Sequence, residues 1–155
     1  MAKTSKAALI LNQNSWAIRL AIRRAEESGS REPYSEATVK GFTVQVPNPS
    51  DILAWILDEI GRQEIDLGAE AQCWQDNTTK KKLVEWTDNV EQMVTNIGDC
   101  VAVAKQLIHA GVKLPDTYPW NPEGTQEPEM GDIVQEAMQE LADESVNESV
   151  DEPEA

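Results

Sequence analysis

Apolar residues recur at heptad spacing along the segment from Leu83 to Leu107. Val94, Val101 and Ile108 lie beside the core positions and widen the apolar stripe. A wide stripe is typical of a helix in a globular bundle, whereas a strict two-position seam is typical of a dimeric coiled coil. The pattern favours one long helix that is continuous through Gly98-Asp99 and carries a small bundle; the alternative is a break at this step, with Asp99 as the N-cap of a second helix. Its core positions are Leu83, Trp86, Val90, Met93, Ile97, Cys100, Ala104 and Leu107.

Two further segments carry helix signals. Residues 15–27 are rich in helix formers, and Gly29 follows them where a left-handed stop is expected. Ser50 and Asp51 suit a helix start, because their side chains can cap backbone N–H groups and Asp51 complements the helix dipole. The second of these helices is predicted to end at Gly61 or Gly68. Its apolar face is Ile52, Leu53, Ile56, Leu57 and Ile60.

One strand is convincing in the sequence. Residues 38–46 alternate and contain several β-branched residues, and Pro47 closes the run. A single strand leaves backbone donors and acceptors without a ladder. We therefore expect residues 65–67, residues 112–114 or another subunit to complete a small sheet.

Charge is sorted along the chain, whose net charge is −15. Residues 1–31 carry six Lys/Arg and two acids, whereas residues 116–155 carry thirteen acids and no Lys or Arg. This sorting predicts a basic helical segment at 1–31, a helical core with one strand at 32–114, a Pro-rich linker arm at 115–129 and an acidic helix with a tail at 130–155. From residue 143 the composition is typical of disorder. The fold class predicted is mainly α, a small helical bundle with a short β element and a disordered acidic C-terminal tail.

Signals for catalysis are missing from the sequence. No glycine cluster has phosphate-loop spacing, and no Ser or Cys has a plausible His partner. Cys73, Cys100 and His109 are too few and too scattered for structural zinc. We therefore expect no enzyme, no metal, no cofactor and no small-molecule substrate. No apolar run is long enough to span a membrane and no secretory signal is evident, so a cytoplasmic location is expected.

Two basic clusters are candidates for contact with an anion or nucleic acid. Arginine offers planar, multi-donor contact to phosphates, and tryptophan can stack on bases. Three lysines near the start of the long helix oppose its dipole and could be relieved by an anion. The alternatives are that Trp16 and Leu20 pack on the fold and that the cations are merely solvated. The candidate residues are Trp16, Arg19, Arg23, Arg24, Lys80, Lys81 and Lys82.

The C-terminal part carries candidates for partner docking. Tyr118 and Trp120 lie in an extended Pro-rich arm, where they either pin the arm to the core or are displayed to a partner. An amphipathic stretch follows, and it is either a docking segment or a final helix of the bundle. Its apolar positions are Met130, Ile133, Val134, Ala137, Met138 and Leu141.

The functional hypothesis from sequence is a non-enzymatic helical assembly or adaptor protein, of the kind found in viral morphogenesis or among chaperone-like factors. It would form a homo-oligomer through the Leu83–Leu107 stripe and dock a protein partner through its charged ends. One alternative is a nucleic-acid accessory protein that binds through the N-terminal basic helix and has an autoinhibitory acidic tail. The second alternative is an acidic DNA-mimic inhibitor. We also expect residues 129–155 to fold back on the basic clusters, since a tether makes weak attraction effective.

Overall fold

Four helices and one β-hairpin form the described part of the chain. The computed structural model describes residues 5–76, 80–121, 135–136 and 139–140. The mainly helical fold with a short β element is confirmed. The acidic tail from residue 143 lies outside the described residues. In chain order the elements are α1 Lys6–Gln13, α2 Ser15–Ser28, β1 Tyr34–Val39, β2 Phe42–Pro47, α3 Pro49–Asp76 and α4 Lys80–His109.

The predicted single strand is instead the greater part of a hairpin. The strands β1 and β2 pair antiparallel, with Val39 opposite Phe42 and Tyr34 opposite Pro47. Lys40 and Gly41 form the turn with φ of 52° and 83°, the left-handed pair that a tight hairpin requires. The expectation that residues 65–67, residues 112–114 or another subunit completes the ladder was wrong. Residues 65–67 lie in α3, and the partner of β2 is β1, whose last two residues are the first two of the predicted strand.

The helix α3 is longer than its glycines predicted. Asn48 caps it, because its Oδ1 accepts from the backbone N–H of Ser50 at 3.0 Å and of Asp51 at 3.4 Å. The helix continues through Gly61 and Gly68 to Asp76, so the predicted end was wrong. A glycine inside a helix costs only about 1 kcal/mol relative to alanine, and packing against a long neighbour offsets that.

The helix α4 is continuous through Gly98-Asp99, as its heptad pattern predicted. It runs antiparallel to α3, since Glu59 lies beside Cys100 whereas Asn89 donates to Glu70 at 3.2 Å. At 1.5 Å per residue, each helix of this pair is about 40 Å long.

The hydrophobic core lies at one end of the α3–α4 pair, where α1 and α2 cover it. Beyond this end the pair projects, and Ile65 and Val94 are exposed. Four of the eight positions in the predicted oligomer stripe are buried inside the chain: Ile97, Cys100, Ala104 and Leu107. Ile97 and Leu107 are buried and Val90 and Met93 are half-buried, while the side chains of Leu83 and Trp86 lie outside the described set. The core comprises Leu11, Ala17, Leu20, Ala21, Ala25, Ile52, Leu53, Trp55, Ile56, Leu57, Ile60, Ile97, Cys100, Val103, Ala104 and Leu107.

Candidate interaction surfaces

Arg24 faces the protein interior and not solvent. Its guanidinium donates to Asp58 at 2.5 Å and to Glu59 at 2.6 Å, and its Cζ lies 5.1 Å from the centroid of the Trp55 ring. The arginine is 3% exposed. Two carboxylates from α3 therefore neutralise it, and it is unavailable to an external anion. This corrects the assignment of Arg24 to a ligand-binding face.

The rest of the α2 basic face borders a groove of about 540 Å³. Arg19 and Arg23 are exposed along one wall, with Trp16 half-buried beside them. Arg19 is partly engaged, because its Nη1 donates to Ser15 Oγ at 3.1 Å. The groove is also lined by Glu59, Gln63, Asn96, Asp99 and Cys100. Glu59 is already paired with Arg24, so Asp99 is the one other carboxylate in the lining that faces Arg19 and Arg23, and the net charge of about +1 falls short of the concentrated positive charge that a polyphosphate requires.

Cys100 lines the same groove and is inert as a nucleophile. Its pKa is raised from the ordinary 9.0 to about 12, first by burial and then by the carboxylates of Glu59 and Asp99. The thiolate is the reactive form, so the protonated thiol is unreactive at neutral pH. Among the described residues, no three His, Cys, Asp or Glu side chains group as metal ligands.

Lys80, Lys81 and Lys82 occupy the first turn of α4, which contains no acidic residue. Their backbone position therefore agrees with the predicted opposition to the helix dipole. Their side chains lie outside the described set, so their role as an anion site stays a prediction.

The arm after α4 is pinned to the core. Trp120 contacts Trp55 edge to face, with ring centroids 4.8 Å apart, and Tyr118 stacks on Trp120 at 5.3 Å. Arg31 holds the arm from outside, since its Nη1 donates to Thr117 Oγ1 at 3.1 Å while Nη2 donates to Asp51 Oδ1 at 3.0 Å. Tyr118 and Trp120 thus follow the first alternative, packing within the chain, and are not displayed for docking.

The acidic stretch touches the bundle at a lysine that the sequence did not single out. Residues 135–136 and 139–140 are helical, and Glu140 Oε2 lies 3.6 Å from Lys105 Nζ on α4. The contact is thus not with the basic clusters expected to receive this segment. The predicted docking positions Met130, Ile133, Val134, Met138 and Leu141 lie outside the described residues.

The β-hairpin presents an apolar face that sequence analysis missed. Paired residues of adjacent strands point to the same side of a sheet, and three pairs form this face. Phe42 is 73% exposed, Val39 49% and Val44 36%. The signal was present as the alternation of residues 35–46, but a single strand does not reveal which residues pair. The hairpin face consists of Ser35, Ala37, Val39, Phe42, Val44 and Val46.

Comparison with protein-family models, with curated proteins and with solved structures finds no match to this chain. Within the described part, no helix combines the length and the apolar character needed to cross a bilayer.

Proposed function

We propose that this protein is a non-catalytic assembly protein that self-associates through the hairpin face. The observation that carries the proposal is the exposure of Phe42, Val39 and Val44 on one side of a two-stranded sheet. A hairpin of two strands is marginal by itself in water, and it gains stability when its apolar side is covered. An apolar patch projecting from a charged chain is typical of an interaction site.

A second copy of the chain is the occupant that the charges favour. Residues 34–47 contain one acid, Glu36, and one base, Lys40, so the hairpin is neutral in a chain of net charge −15. Two copies can meet there without placing like charges in contact. Five of the six residues in the hairpin face are apolar, so the same face of a second copy, related by a two-fold axis, is a suitable surface for it.

The expected association is weak. Covering the exposed parts of Phe42, Val39 and Val44 removes on the order of 250 Å² from water per copy. At about 25 cal/mol per Å², two copies gain about 12 kcal/mol before the association cost of about 4–15 kcal/mol. An association cost in the lower part of this range, about 4–8 kcal/mol, leaves a net gain of about 4–8 kcal/mol, which corresponds to a dissociation constant between about millimolar and micromolar. Screening of the negative charge should strengthen it, so added salt should favour the dimer.

Sedimentation analysis of three proteins tests the proposal. Wild type should shift from monomer to dimer within the range from about 1 μM to 1 mM, which spans the expected dissociation constants. Phe42→Lys should stay monomeric, because it places a charge in the hairpin face. Thr43→Lys is the matched control on the opposite face and should associate like wild type. A wild type that stays monomeric at the upper concentration, or equal behaviour of the two variants, would overturn the proposal.

Nucleic-acid binding is the second candidate, and among the side chains that the structure describes, Trp16, Arg19 and Arg23 favour it. With Arg24 neutralised and carboxylates across the groove, this face lacks the concentrated positive charge on which phosphate binding depends. Partner docking through the charged ends, the viral or chaperone-like setting and the DNA-mimic alternative stay predictions.

A further inference from the structure

A second groove, of about 460 Å³, lies between α1 and the C-terminal end of α4. Lys6 and Lys105 supply its positive charge, His109 also lines it, and Ile10 supplies apolar surface. Glu140 also lines it, although this residue is 31 positions beyond the end of α4 in the chain. The groove therefore already holds one residue of the acidic stretch.

We propose that this groove is the seat of the acidic C-terminal segment of the same chain, from Gln135 onward. The ion pair between Lys105 Nζ and Glu140 Oε2, at 3.6 Å, is its anchor. Glu136 precedes Glu140 by four residues in helical backbone, and His109 follows Lys105 by four on α4. In a continuous helix, residues four apart share one face, which would place the Glu136 carboxylate on the same side of the segment as Glu140.

The charge of the remaining segment fits the same seat. Residues 141–155 contain six acids and no Lys or Arg, so each further residue that approaches the groove brings zero or negative charge. In the sequence, the apolar residues Met138 and Leu141 are three positions apart, a spacing typical of one helix face. An acidic, amphipathic helix is thus the ligand chemistry that the groove accepts.

The chain's own segment is favoured over a separate acidic partner because it is tethered. The arm is fixed to the core at Trp120, and residues 121–134 connect it to Gln135. A tether of this length gives an effective concentration on the order of millimolar, so a weak contact is populated. While seated, the segment covers Lys6 and Lys105 and keeps other polyanions from them. This inference is independent of hairpin self-association.

Charge reversal on the full-length protein tests the seat. Lys105→Glu replaces an attraction with a repulsion, and Lys113→Glu is the matched control, since Lys113 is exposed and does not line the groove. The readout is the rate at which a glutamate-specific protease cleaves after Glu136 and Glu140. Lys105→Glu should raise this rate about three- to tenfold, as expected for loss of one partly exposed ion pair plus a like-charge contact. Lys113→Glu should leave the rate within about twofold of wild type, since it alters only distant, screened charge.

A reciprocal exchange keeps the test decisive if one variant perturbs folding. Glu140→Lys alone should raise protease cleavage after Glu136, and the double variant Lys105→Glu/Glu140→Lys should return it toward wild type. Equal cleavage rates in Lys105→Glu and Lys113→Glu, with no rescue in the double variant, would overturn the proposal. Protection that increases with protein concentration would assign the segment to a neighbouring copy and would overturn its assignment to the same chain.

Discussion

The replacement Arg24→Ala should be among the most destabilising single changes on α2. In the wild type, the guanidinium bridges Asp58 and Glu59 and covers the Trp55 ring. The indole Nε1–H of Trp55 has no acceptor in the described part of the chain. The Trp55 ring is therefore held by packing contacts, of which the Arg24 guanidinium is one. Removing the arginine leaves two mostly buried carboxylates side by side without their shared cation.

The magnitude follows from the burial of these groups. Removing one partner of a buried ion pair costs about 3–5 kcal/mol. The side chains of Asp58 and Glu59 remain 13% and 15% exposed, and Arg62 lies 3.6 Å from Asp58, so some compensation is expected. We therefore expect a loss of about 2–4 kcal/mol in the free energy of unfolding, and a fall of about 10 °C in Tm for a chain of this size.

Chemical denaturation at neutral pH measures the effect, with Arg23→Ala as the matched control. Arg23 is the neighbouring arginine, but it is exposed, so its replacement should change stability by less than about 0.5 kcal/mol. Arg24→Met should recover part of the packing lost in Arg24→Ala without recovering the charge. If Arg24→Ala and Arg23→Ala agree within about 1 kcal/mol, the interior network does not contribute as described.

Two further predictions concern Cys100 and Arg31. Because the folded thiol of Cys100 keeps its proton to about pH 12 whereas the unfolded thiol loses it above about 9.0, wild-type stability should fall with rising pH relative to Cys100→Ala. Between pH 9 and 10 the difference should change by about 1 kcal/mol in urea denaturation, and parallel curves for the two proteins would refute the buried-thiol assignment. Arg31→Ala should cost about 1–2 kcal/mol, because Asp51 loses a charged partner and the arm loses its outer clamp. Faster hydrogen exchange at Tyr118 and Trp120 in this variant would check the clamp, and unchanged exchange would count against it.

The helices were predictable because their signals are local. Gly29 ends α2 in the left-handed region, with φ of 63°, and the heptad pattern of α4 survives the Gly98-Asp99 step. The predicted ends of α3 at Gly61 or Gly68 were wrong, because a glycine indicates only a local preference against the helix. Packing along the second long helix decided the outcome there.

The candidate surfaces were less predictable because they depend on contacts distant in sequence. A helical wheel placed Arg24 with the solvent-facing cations. In the structure its side chain is buried against two carboxylates that lie 34 and 35 residues later in the chain. Charged pairs are frequent in an acidic chain, so Asp58 and Glu59 gave no distinctive signal. The Lys40-Gly41 turn was missed because lysine seldom adopts positive φ, and with it the hairpin face was missed.

Isotope-filtered NOE spectroscopy on a mixture of labelled and unlabelled protein tests the central claim most directly. At concentrations near the expected dissociation constant, association through the hairpin face should give intermolecular NOEs that connect Phe42 with Val39, Val44 and Val46 of the second copy. The same cross-peaks should disappear in Phe42→Lys and persist in Thr43→Lys. Intermolecular NOEs confined to the Trp16–Arg23 groove, or none at millimolar concentration, would contradict assembly through the hairpin face.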